Sequence, residues 1–131
     1  MSNLLADVAT LLVQEGLATE ISTDIFLDYL PDAPDQAIAL YEYGGIPVGL
    51  GVDTQHRNIQ VRVRGGYEWA AKRIWDIYNL LNTPLEPIVD ITSERWGIVE
   101  VLQTPFILTR DSLTRVNFAF NLSVTTYSDR R

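Results

Sequence analysis

Two periodicities divide this chain. Between Val116 and Val124 the apolar residues Val116, Phe118, Phe120, Leu122 and Val124 alternate with Asn117, Ala119, Asn121 and Ser123, as expected of a strand that buries one face. This predicts a long strand over Thr114–Tyr127. Ala37–Tyr43 and Ile59–Arg64 alternate in the same way, with Val61 and Val63 on one face and Arg62 and Arg64 on the other. Shorter strands are expected at Ile25–Tyr29, Ile88–Ile91, Trp96–Gln103 and Phe106–Arg110. Asp111-Ser112 supplies a turn, so Phe106–Arg110 and the final strand should form an antiparallel hairpin.

The other period is helical. Leu4, Leu5, Val8, Leu11 and Leu12 predict a helix over Ser2–Glu15, capped by Ser2 or Asn3 and stopped by Gly16. A second helix should start after Gly65-Gly66 and end near Asn82, before Pro84. Its inward stripe is read as Tyr67, Ala70, Ala71, Ile74, Tyr78 and Leu81. At ~100° per residue, Trp69, Arg73, Asp76 and Leu80 fall on the opposite side. Trp and Arg are enriched at interface centres, so Trp69, Arg73 and Leu80 are expected at a subunit contact.

These elements predict an α+β fold, a mainly antiparallel sheet with two helices packed on one face, as a single domain over residues 1–131. Sustained βαβ alternation is missing, which disfavours a doubly wound parallel sheet. Between two of the strands lies the segment Gly44–Arg57, long for a hairpin connection and rich in both glycine and apolar residues. Ile46, Val48, Leu50 and Val52 supply apolar surface that a solvated loop does not need, and the glycines carry a backbone entropy cost on ordering. The segment is read as a partner-binding loop, mobile alone and ordered on binding.

Composition narrows the functions. The chain has 131 residues, 47% of them hydrophobic, with 17 acidic against 10 basic side chains and a formal charge of −7. That balance disfavours gripping nucleic acid, which needs clustered Lys and Arg, while a negative surface lets DNA slide past. With no cysteine, disulfide frameworks and thiolate metal sites are excluded. Met1-Ser2-Asn3-Leu4 lacks the pattern of a signal peptide, and no apolar run approaches the ~18 residues of a spanning helix. A cytosolic product without a membrane partner is expected.

No catalytic constellation emerges. Gly44-Gly45 and Gly49-Leu50-Gly51 match neither the P-loop nor the dinucleotide fingerprint. His56, the only histidine, has no neighbouring nucleophile or second ligand and reads as an exposed loop residue. Glu42, Asp53, Asp90, Glu94 and Glu100 are carboxylates on separate elements, whereas acid–base work needs two at a defined separation in a cleft. Neither cofactor nor metal is expected. Arg62 and Arg64 are read as pairing with carboxylates of a neighbouring strand or subunit.

The order of elements itself carries a likeness. "IALYEYGG", then a variable loop, then "IQVRVRGGYEWAAKRIWDIYNLLN" resembles the minor capsid and tail terminator family of long-tailed phages, over about Asp24–Tyr127. The resemblance implies a structural virion protein of the tail or neck, not an enzyme, assembled in the host cytoplasm. It implies a homo-oligomeric ring, hexameric by expectation, that caps the tail tube and joins it to the head connector, with DNA passing through the channel without specific binding. Subunit contacts are then expected at Arg62, Arg64, Trp69, Arg73 and Leu80. A head-closure or connector neck protein is the nearest alternative, and a small enzyme a more distant one.

Overall fold

The computed structural model describes residues 4–46, 54–82, 87–89, 96–111 and 114–127, with only the backbone described at 45–46, 54–55, 87–89, 96–98 and 126–127. The first helix forms as α1 (Leu4–Gln14). Gly16 ends it with a φ of 79°, its amide donating to Val13 O at 3.1 Å and that of Leu17 to Leu12 O at 2.9 Å. This pairing satisfies the last carbonyls of the helix and needs a left-handed residue where glycine stands. The proposed caps Ser2 and Asn3 lie outside the described residues.

The strands are β1 (Ile25–Leu27), β2 (Ala37–Ile46), β3 (Thr54–Gly65), β4 (Pro87–Val89), β5 (Trp96–Val101), β6 (Phe106–Arg110) and β7 (Val116–Tyr127), with α2 (Tyr67–Leu81) between β3 and β4. They form one seven-stranded sheet in the order β1-β2-β3-β7-β5-β4, with β6 also paired to β7. Every pairing is antiparallel except β1 with β2. The fold is therefore α+β, as the periodicities predict.

Alternation decides which face is buried. Ile38 and Leu40 of β2, Ile59, Val61 and Val63 of β3, and Val116 through Val124 at every second position of β7 join the apolar residues of α1 and α2 in one core. Phe120, Ile59, Val61 and Val124 have no exposed surface. Both helices thus pack on one face of the sheet. The opposite face carries Tyr41, Gln60, Arg62 and Asn121, brought level by the register Tyr41↔Gln60 and Gln60↔Asn121.

Four expectations need correction. The strands on either side of the Gly44–Arg57 segment run into it, β2 reaching Ile46 and β3 starting at Thr54, because ladder pairing with β7 continues through Thr54↔Tyr127. Val48, Leu50 and Val52 lie outside the described residues. The expected strand Trp96–Gln103 stops at Val101, since Asn121 N–H is taken by the side-chain oxygen of Gln103 at 3.0 Å in place of a backbone carbonyl. The inward stripe of α2 holds in part: Ala70, Ile74 and Leu81 are buried and Ala71 and Tyr78 pack against the core, but Ile77 joins the buried set and Tyr67 is 56% exposed. Trp69 and Leu80 pack against the core instead of facing away from it.

Candidate interaction surfaces

Two arginines fasten one end of the sheet. Arg115, just before β7, donates from Nε to Asp111 Oδ2 at 2.7 Å, from Nη1 to Asp32 O at 2.7 Å and from Nη2 to Asp32 Oδ1 at 2.9 Å. A longer contact of 3.3 Å reaches Asp35 Oδ1. Arg64, at the end of β3, donates to the carbonyls of Pro31, Pro34 and Asp35. The irregular segment between β1 and β2 is thereby held by guanidinium groups, which suit several carbonyl and carboxylate oxygens at once. The hydrogen bond to Asp32, with that to Asp111 behind it, raises the pKa of Arg115. Burial, and then the charge of Arg115, lowers that of Arg64.

Beside this clasp lies an open groove of about 600 Å³ lined by Thr19, Thr23, Asp24, Pro34, Asp35, Gln36 and Trp69. Trp69 is fixed from two directions. Gly65 sits so close that a Cβ added there would stand 2.7 Å from Trp69 Cε3, and the Arg73 guanidinium carbon lies 5.1 Å from the ring centroid. Arg73 also donates to the carbonyl of Leu17, so the stack ties α2 to the end of α1. Asp24 turns its carboxylate to the amides of Thr19, at 3.0 Å, and Glu20, at 3.1 Å.

A second surface runs along β6. Val116 to Ala119 of β7 pair with Phe106 to Arg110, and among the described residues no strand pairs with the other edge of β6. Leu102 is 51% exposed, Ile107 42% and Leu108 36%. Other exposed aromatic surface sits elsewhere, at Trp75 on α2, which meets Tyr78 edge-on, and at Tyr29 and Tyr43.

The sequence-predicted contact residues are scattered by the fold. Arg62 lies on the sheet face away from the helices, with Nε 2.6 Å from Gln60 Oε1 and its guanidinium carbon 4.5 Å from the centre of the Tyr41 ring. Arg64 is 4% exposed and engages backbone carbonyls, not the carboxylate partner expected for it. Trp69 and Arg73 are brought together at the groove, while Leu80 packs on the core farther along α2. Ile46 ends β2 opposite His56. His56 is exposed, as expected, but it stands within β3 and not in a loop, with Nδ1 2.9 Å from Thr125 Oγ1. Glu42 binds Arg57 through Nε at 2.6 Å and Nη2 at 2.7 Å, a structural role. Asp53, Asp90 and Glu94 lie outside the described residues.

Sequence reasoning passed over the β6 surface. Its signal was there in Phe106-Ile107-Leu108, consecutive apolar residues where a half-buried strand alternates. Among the described residues no group of three or more His, Asp or Glu side chains is placed to hold a metal, and no described helix is long and apolar enough to cross a membrane.

None of the curated proteins compared with the chain matches it. The family model for bacteriophage tail terminator proteins matches residues 12–127, which takes in everything from the end of α1 to the end of β7. The chain therefore belongs to the bacteriophage tail terminator family.

Proposed function

We propose that this protein is the subunit of a homohexameric ring that caps the tail tube and presents the surface on which the head connector docks. The observation that carries the reading is the family match across residues 12–127. A ring needs two different surfaces on each subunit, because a heterologous contact must close on itself. The exposed β6 edge and the Trp69 groove meet that requirement.

The mechanism is geometric: one ring face matches the last tube ring and the other the neck, and no bond is made or broken. The −7 formal charge suits a channel through which DNA passes without being held. The subunit contact is assigned to the Trp69–Arg73 flank of α2 and to Arg62. Arg64 and Leu80, turned into the fold, fall outside it. The segment with Ile46, Val48, Leu50 and Val52 is assigned as an arm that binds the tube or a neighbouring subunit. Assembly takes place in the host cytoplasm, and the finished ring stays in the virion.

Mass measurement with and without tail tubes tests this reading. The isolated subunit should be monomeric or weakly associated and should form rings on tube ends. A stable ring at micromolar concentration without tubes would overturn the templating, and binding along the tube wall instead of at its end would overturn the capping role.

A further inference from the structure

The exposed edge of β6 and the Trp69 groove lie at the same end of the sheet, and the groove runs from Trp69 over β3 out to the β1 edge, the edge away from β6. Arg110 ends β6 opposite Val116, Val116 is opposite Gly65, and Gly65 touches Trp69. Asp24, just before β1, and Gln36, just before β2, line the groove at this same end. The sheet order β1-β2-β3-β7, with β6 beyond, puts four strand spacings of about 4.8 Å, roughly 19 Å in all, between β6 and the β1 side of the groove, where Thr23 and Asp24 stand, while Trp69, over Gly65 of β3, lies nearer the middle of the sheet. Subunits set side by side in a ring would bring the β6 edge of one level with the groove of the next.

Their chemistry is complementary. Arg57, Lys72 and Arg115 have carboxylate partners within the subunit. Arg62, Arg64 and Arg73 are held by Gln60, by carbonyls, or by an aromatic ring and a carbonyl. Arg110 alone among the described cations is exposed with no such side-chain partner. The groove offers Asp35, whose side chain stays 82% exposed beside its 3.3 Å contact with Arg115, together with the Trp69 indole. A guanidinium is matched to both, through charge-assisted hydrogen bonds and stacking. Ile107 and Leu108 add exposed apolar surface on the same strand. An edge that only guards against aggregation carries charge and no such surface.

We propose that β6 is one half of the subunit contact: its edge docks on the β1 side of a second copy of this chain, and Arg110 enters the groove of that copy between Asp24, Asp35 and Trp69. This rests on the ring reading above and specifies which surfaces close the ring.

The absence of cysteine makes cross-linking a clean test. A chain carrying Thr109→Cys and Thr23→Cys has one thiol on each surface, and a bismaleimide too short to span those four strand spacings cannot join them within a subunit. Rings formed on tail tubes should give a ladder of covalent oligomers, while either single variant should give dimers at most in trace. Arg110→Glu should lower the assembled fraction by about tenfold while leaving the circular dichroism spectrum unchanged. Rings that form but give no ladder, or an Arg110→Glu subunit that assembles normally, would overturn the proposed contact and leave the ring intact. Failure of the parent subunit to form rings on tubes would instead remove the reading on which the contact rests.

Discussion

Replacing Gly65 by alanine tests the packing that joins β3 to α2. The added Cβ would lie 2.7 Å from Trp69 Cε3, 3.1 Å from Cζ3 and 3.6 Å from Gln36 Cγ. Carbon atoms sit comfortably at ~3.5–4.0 Å, so the indole would have to retreat by roughly 1 Å. Arg73 stacks on that indole and is itself tied to the Leu17 carbonyl, so the retreat disturbs the link between α2 and α1. Overpacking of this kind costs about 1–3 kcal/mol. Alanine returns about 0.4–1 kcal/mol by restricting the unfolded chain, as Gly65 is not among the positive-φ residues, leaving a net loss of roughly 1–2 kcal/mol. For 131 residues at about 2.1 cal/mol/K each, the unfolding entropy is near 0.28 kcal/mol/K, and Tm should fall by about 4–7 °C. Thermal and urea unfolding followed by circular dichroism would measure it, with Gly66→Ala, whose Cβ meets nothing within 4 Å, as the control. In a Trp69→Ala background the Gly65→Ala penalty should vanish. An equal penalty in both backgrounds, or a stabilised Gly65→Ala protein, would refute the reasoning.

Other substitutions separate the core from the surfaces. Phe120→Ala removes a fully buried ring that Tyr78 meets edge-on at 5.7 Å and should cost about 3–5 kcal/mol, read as a lower urea midpoint. Trp69→Ala should cost roughly 2 kcal/mol of monomer stability, because the ring is half-buried against the core and loses part of what a buried aromatic loses; an unchanged melting temperature would return Trp69 to a purely interfacial role. Glu42→Gln leaves the half-buried Arg57 without its two charged contacts and should cost about 1 kcal/mol, less in high salt. Leu108→Asp, on an exposed edge, should leave Tm within about 2 °C yet reduce ring formation on tubes.

Much of the fold was legible because alternation in β2, β3 and β7 is strong and each strand buries one face. The hairpin of β6 with β7 followed from the turn residue Asp111, whose carboxylate receives the Arg115 amide at 3.1 Å. Parallel pairing of β1 with β2 was hidden, since three residues carry no readable period and the pairing rests on contacts distant in sequence, such as Ile25↔Ile38. The outward strip of α2 misled because Trp69 and Leu80 stand on its flank, where apolar side chains lean back onto the core, while Tyr67 at the first turn stays 56% exposed with its ring centre 5.7 Å from that of Phe118. The roles of Arg64 and Arg115 were illegible for another reason. Their partners are mostly oxygens of the 31–35 segment, which only the folded chain brings near. The exposed β6 edge was hidden in another way: its pairing with β7 is readable from the turn, but that no other described strand covers its far side is set by the order of the whole sheet.

The most direct test of the account is the length distribution of tails made without this protein. Electron micrographs of lysates from a phage lacking it should show tubes of irregular length unattached to heads, and purified subunit added to those lysates should restore capped tubes competent to join. Tails of uniform length already joined to heads in its absence would contradict the assignment.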